Sequence, residues 1–267
     1  MGTLHVVSNA EGTLVRPEVR EIGILEVFDA LRLGWRDFQE KPSHYVFLCI
    51  LYPIAGVVLM VWSAGANLLP LMFPLASGFA LLGPIAAIGL YEISRRRELG
   101  LDTSWQHALD VRHSPAMFSI IASAAVLLSL FVVWLLVAQK IYIAHFGDVA
   151  PASIGSFARD VLTTSNGWSM IFWGNLAGLA FAIAALAVSV VTFPLLLERD
   201  VGALAAILTS VRALARNPVP VLLWGVIVAV LLVIGSIPVF AGLALVLPVL
   251  GHATWHLYRK MIGPPSI

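Results

Sequence analysis

The sequence predicts an all-α membrane protein, a polytopic bundle of six transmembrane helices built as three repeats of an amphipathic inner helix plus a helical hairpin. Three observations predict it. Six long apolar runs contain no Asp, Glu, Lys or Arg. The segments between them carry sharply unequal positive charge. A proline-terminated amphipathic segment recurs before each pair of runs. With 60% hydrophobic and 12% charged residues and a mean hydropathy of +0.93, the chain has too little charge to cover a soluble domain of this length.

Residues 1–20 form a loose polar tail, 21–262 a single membrane domain and 263–267 a short C-terminal tail. From Ile24 the residues Ile24, Phe28, Leu31, Trp35 and Phe38 recur at spacings of three and four, which puts them on one helical face. Glu26, Arg32, Arg36 and Glu40 lie opposite. Such a helix lies at a membrane surface or packs under the bundle. Lys41-Pro42 ends it, because proline disfavours helix at the residue before it.

The apolar runs follow at 44–64, 68–91, 116–138, 168–194, 218–236 and 238–257. A helix of about 20 apolar residues crosses the hydrocarbon core. The last two runs are joined tightly through Gly235, Ser236, Ile237 and Pro238 and read as a helical hairpin. The runs are continuous rather than alternating, which excludes a transmembrane β-barrel. Residues 101–114, with Leu101, Trp105, Leu109 and Val111 apolar, lead to Ser114-Pro115 and the third run. Residues 200–216, with Leu204, Leu208, Val211 and Leu214, lead to Asn217-Pro218 and the fifth.

Pro74, Gly78, Pro84, Tyr91 and Arg95 align at one constant offset with Pro238, Gly242, Pro248, Trp255 and Arg259. This pattern predicts parallel repeats over roughly 20–115, 100–195 and 200–260 about an axis along the membrane normal. The fourth run fits the template least. In the 139–167 connector, Phe157, Val161 and Leu162 oppose Arg159 and Asp160, which suits either a short surface helix or a solvated loop.

Of the 16 Lys and Arg residues, only Lys140 and Arg159 fall on one side of this arrangement. By the positive-inside rule both termini are cytoplasmic. Residues 1–40 lack the early apolar core of a cleavable signal. The single cysteine, Cys49, lies inside the first run and reads as inert packing.

The most polar stretch of any run is residues 251–260. His252 and His256, four residues apart, project from one helical face. They are candidate metal or haem ligands; the plainer alternative is that they hydrogen-bond neighbouring helices near the inner interface. Glu92, Glu198 and His256 close the inner ends of the even-numbered runs. They form a candidate inner gate or polar cluster, or are ordinary span-end polar residues. Arg95, Arg96, Arg97, Arg259 and Lys260 are candidate anchors for lipid headgroups. Gly78, Gly83-Pro84 and Gly89 narrow and kink the second run, and Asn175 suits a bond across helices.

No phosphate-cradling glycine loop, HExxH, paired-cysteine motif or GxSxG elbow occurs, so no enzyme activity is expected. No Asp, Glu, Lys or Arg lies deep in a run, which disfavours a proton pump or a typical ion-coupled transporter. The scattered basic residues give no nucleic-acid site.

Three segments carry a family resemblance: 33–38 (LGWRDF), Leu81-Leu82-Gly83-Pro84 running to Gly89-Leu90-Tyr91-Glu92-Ile93-Ser94-Arg95, and 251–259 (GHATWHLYR). Over about residues 20–262 the chain resembles a bacterial family of predicted integral membrane proteins, the domain of unknown function 2189 family. The resemblance implies a bacterial inner-membrane location and no established activity. The chain does not fit cytochrome c oxidase subunit I, a twelve-span protein with six histidine ligands, since His44 sits at the edge of a run and only His252 and His256 lie inside one here. An accessory role beside respiratory complexes stays open.

Three functions remain in view. The first is a non-catalytic scaffold, assembly factor or accessory subunit with a membrane-protein partner. The second is a small-solute transporter or channel with a central path, and the third is a haem- or metal-binding protein using His252 and His256. No cofactor is expected beyond that last case.

Overall fold

The apolar runs fold as helices. The computed structural model describes residues 17–40, 54, 57, 58, 69–79, 81 and 83–263. The first run, 44–64, lies outside the described residues apart from three isolated positions, and Cys49 with it. In chain order the helices are α1 (Ile24–Glu40), α2 (Met72–Phe79), α3 (Gly83–Ala86), α4 (Ile88–Glu98), a 3₁₀ helix (Trp105–His113), α5 (Met117–Phe146) and α6 (Ile154–Thr163). There follow α7 (Ser165–Ser189), α8 (Thr192–Glu198), α9 (Ala203–Arg216), α10 (Pro218–Ser236) and α11 (Leu243–Met261). Among the described residues the one β-type pairing is an isolated antiparallel bridge between Val19 and Ile262.

Among the described residues three helices are long and apolar enough to cross a membrane: α5, α7 continued by α8, and α10. Their outward side chains are large and apolar, among them Phe118, Leu136, Phe172, Val226 and Val233, all exposed. Water tolerates no apolar surface on this scale, whereas lipid demands it. With 30 residues α5 is the longest. It continues past the end of its apolar run to Gly147, whose φ of 77° ends it.

Prolines shape the remaining runs. In the second run the described residues form α2, α3 and α4, with Pro84 in the first turn of α3 and a turn at Ala87 between α3 and α4. Trp134 Nε1 donates to Pro74 O at 3.0 Å and ties α2 to α5. Pro194 stands four residues after Val190, where α7 turns into α8. The last two helices meet across a turn at 237–242 in which Val239 and Phe240 have φ of 51° and 64°. A Cβ on Gly242 would stand 2.8 Å from Gly235 Cα, so only glycine permits that approach.

The connectors divide their apolar residues between a buried and an uncovered side. In α1 the buried face is Val27, Ala30, Gly34, Asp37 and Phe38, while Ile24, Phe28 and Trp35 are uncovered and Leu25 is 80% exposed. In α9 the buried face is Ala205, Ala206, Thr209, Ser210 and Ala213, while Leu208 and Val211 are uncovered and Leu204 is 70% exposed. The 3₁₀ helix buries Ala108 and leaves Leu109 out. In each connector small residues allow the close contact, joined by Val27, Leu31 and Phe38 in α1, Val111 in the 3₁₀ helix and Leu214 in α9, while other large apolar residues face away. This is the membrane pattern, where close approach rather than water exclusion drives helix pairing.

The N-terminal segment closes the circuit. Arg20 N donates to Met261 O at 2.8 Å. Asn217, between α9 and α10, accepts from Ile22 N at 2.8 Å and donates from Nδ2 to Arg20 O at 3.0 Å.

Candidate functional site

The C-terminal ends of α4, α8 and α11 meet at one end of the bundle, and α1 lies along α11 there. Two glycines allow this. A Cβ at Gly34 would sit 2.4 Å from Ala253 N, and one at Gly251 would sit 2.6 Å from Leu90 Cδ1. The close approach presses the polar residue three positions after Gly34, Asp37, onto the polar faces of α4 and α11.

Asp37 is 7% exposed. Its Oδ2 accepts from Ser94 Oγ at 3.0 Å and from His256 Nε2 at 2.9 Å, and its Oδ1 accepts from Arg97 Nη1 at 3.0 Å. Because Ser94 gives its proton to Asp37, it accepts from Nδ1 of the fully buried His252, 2.7 Å away. Burial pushes the Asp37 carboxyl up, but the hydrogen bond and charge of His256, with Arg97 beyond, outweigh it and hold the carboxyl below its ordinary value. The order histidine, serine, carboxylate is not that of a nucleophilic triad, in which histidine stands between the other two. The chain of hydrogen bonds joins α1, α4 and α11 through one buried carboxylate.

Around this core the charges are paired. Arg95 binds Glu92 through Nε and Nη2 at 2.7 and 2.8 Å, and Arg96 lies 3.8 Å from the same carboxylate. Glu198 accepts from Tyr258 Oη and pairs with Arg259 and Arg199. Glu98 accepts from Trp255 Nε1 at 3.1 Å and from Arg259 Nε at 2.8 Å. The Arg259 guanidinium also lies 4.9 Å over the Trp255 ring. Lys260 Nζ donates to Asp29 at 2.6 Å, and this bond holds the Asp29 carboxyl below its ordinary value.

Each residue singled out from the sequence can now be placed. His252 and His256 reach the same Asp37 cluster, His252 through Ser94. Glu92 pairs with Arg95 and Arg96, Glu198 with Arg259 and Arg199, and His256 with Asp37. The anchors Arg95, Arg96, Arg97, Arg259 and Lys260 all pair with carboxylates of the protein. Among the described residues no group of three or more His, Cys, Asp or Glu is arranged to hold a metal ion. Asn175 donates to Ile171 O in its own helix rather than across helices. The 139–167 connector contains α6, started by a reciprocal Ser153–Ser156 capping box. Sequence reasoning passed over Asp37, Ser94, Asp29 and Tyr258. The one signal for Asp37 was a carboxylate on the small-residue face of α1, three after Gly34.

Described residues that are almost wholly helical, with three membrane-length apolar helices among them and a charged, internally paired end, define a polytopic integral membrane protein. Residues 71–198 match the model of a family described as "Predicted integral membrane protein (DUF2189)". The family resemblance read from the sequence is thus shown over that stretch, which includes the Leu81–Arg95 segment; residues 33–38 and 251–259 lie outside it. No curated protein and no solved structure matches the chain.

Proposed function

We propose that this protein is a non-catalytic scaffold, assembly factor or accessory component of the bacterial inner membrane, with six spans in three repeats and both termini cytoplasmic. The observation that carries this reading is the pairing of Asp29, Asp37, Glu92, Glu98 and Glu198 with Lys and Arg at the end where α1, α4, α8 and α11 meet. Paired charges make that end a fixed platform rather than an opening. The uncovered apolar flanks of α1 and α9 at its edge suit a membrane-protein partner or the lipid interface. Fourteen basic residues on the proposed inner side, against Lys140 and Arg159 opposite, support the orientation.

One observation favours transport as a second reading: the buried His252–Ser94–Asp37–His256 chain is a set of groups through which a proton can pass. Affinity purification from native membranes in mild detergent separates the two. A stoichiometric co-purifying protein supports the scaffold. A partnerless preparation that moves protons or solutes in liposomes, and loses this with Asp37→Asn, supports transport and sinks the scaffold.

A further inference from the structure

Away from this cluster, α5 and α7 border an open groove of about 610 Å³ on their outward flank. Val133, Val137, Trp173, Ala177 and Ala180 line its apolar body, and Lys140 stands at its rim. The floor is shallow-walled because α7 offers alanines there, and deeper down Gly178 lets the Trp134 ring approach to 3.3 Å of where a Cβ would stand. Two features fix what the groove meets. The uncharged stretch from Met117 to Gln139 is about 34 Å long at 1.5 Å per residue, close to the hydrocarbon thickness of about 30 Å. Lys140 therefore emerges at headgroup level, and the apolar body below it lies within one leaflet. Lys140 is exposed and makes no ion pair or hydrogen bond with the described residues, unlike the paired cations at the opposite end of the bundle. At the same level His145 Nε2 lies 3.0 Å from Ser169 Oγ, and Asn166 Nδ2 donates to His145 O at 3.1 Å, closing the rim with polar groups.

We propose that this groove binds an anionic glycerophospholipid of the leaflet at that end, one acyl chain along Val137 and Ala177 and the phosphate against the Lys140 ammonium. Trp173, exposed beside it, supplies the apolar ring with a polar edge that headgroup-level sites favour. A zwitterionic lipid satisfies the apolar body but carries its own cation and competes with Lys140 for the phosphate. The site is thus selective for the anionic class.

The test uses the full chain, purified and delipidated in mild detergent, with phosphatidylglycerol and phosphatidylcholine as probes. Bound lipid is read by native mass spectrometry, and unfolding temperature is followed in parallel. The expected result is a discrete phosphatidylglycerol adduct on the wild type and on Lys140→Arg, weakened about fivefold in Lys140→Gln, as loss of one cation–headgroup contact implies. Ala177→Trp fills the groove and is expected to lose both lipids. Equal phosphatidylglycerol binding by wild type and Lys140→Gln overturns the proposal, and the Lys140 variants decide it even where Ala177→Trp fails to fold. Disulfide-linked dimers of Ala177→Cys in a Cys49→Ala background, formed in lipid and without adducts, also overturn it by giving the groove to a second copy.

Discussion

Replacing Asp37 by alanine removes the acceptor shared by Ser94, His256 and Arg97. Breaking a buried ion pair by deleting one partner costs about 3–5 kcal/mol, because the other charge stays behind unpaired. Here Arg97 retains Glu40 at 2.5 Å, and its side chain keeps 20% of its exposure, so the stranded charge is partly relieved. Against that, the Ser94 hydroxyl loses its acceptor in a site closed to water, which adds about 1–3 kcal/mol when nothing replaces it. Taking the lower part of each range gives a loss of about 3–4 kcal/mol. At roughly 2–4 °C per kcal/mol this lowers the unfolding midpoint by about 6–16 °C. The assay is thermal unfolding of the purified protein in one detergent, with Asp37→Asn alongside. Asparagine keeps the shape and an acceptor and should lose about half as much. A double-mutant cycle with Arg97→Ala should return a coupling of about 0.5–3 kcal/mol. A midpoint within about 2 °C of wild type for Asp37→Ala, with no coupling to Arg97, would refute the reasoning, since a buried charge cluster cannot lose its centre without cost.

Three further outcomes are expected. Gly34→Val drives a side chain into the Ala253 backbone, 2.4 Å from where its Cβ would lie, and should cost about 1–3 kcal/mol by overpacking; wild-type stability would show that α1 does not seat on α11. Asp29 and Asp37 are both held below their ordinary values, so their stabilisation is complete above about pH 4, the unfolded value, and is lost as pH falls through the lower folded values. The wild-type midpoint should hold from pH 7 to 5 and drop below about pH 4, and Asp29→Asn should flatten that drop; an unchanged drop in the variant contradicts the assignment. His252→Ala with His256→Ala should leave the visible spectrum and metal content of the purified protein unchanged, and disappearance of a haem band or of bound metal would restore the ligand reading.

The spans were legible where chain chemistry alone sets them. The run 218–236 and helix α10 coincide, because Pro218 starts the helix and uncharged residues fill it. α5 overshoots its apolar run because a helix does not stop where hydrocarbon stops; it stops at Gly147. The sequence reads the second run as one kinked span; among its described residues the helix is interrupted at Ala87, a position that no hydropathy window marks. The connector faces were legible only in part from apolar periodicity. Of the stripes Ile24–Phe28–Leu31–Trp35–Phe38 and Leu204–Leu208–Val211–Leu214, Leu31, Phe38 and Leu214 pack inward and the rest are uncovered, because lipid removes the reason to bury them and leaves the closest packing to Gly34, Ala206 and Ala213. His252 and His256 were visible as a pair, but the group that joins them to the rest, Asp37, lies 219 residues away from His256 in the chain. Pairing over that distance comes from tertiary packing and leaves no local pattern.

The central claim is that α1 and the paired charge cluster close one face of a membrane-crossing bundle, with α6 on the other. Single cysteines at Leu25 in α1 and Ile154 in α6, both exposed, test it in a Cys49→Ala background with a membrane-impermeant maleimide. In sealed bacterial spheroplasts the account predicts labelling at position 154 and protection at 25, reversed in inverted vesicles. Labelling of both positions from the same side would contradict it.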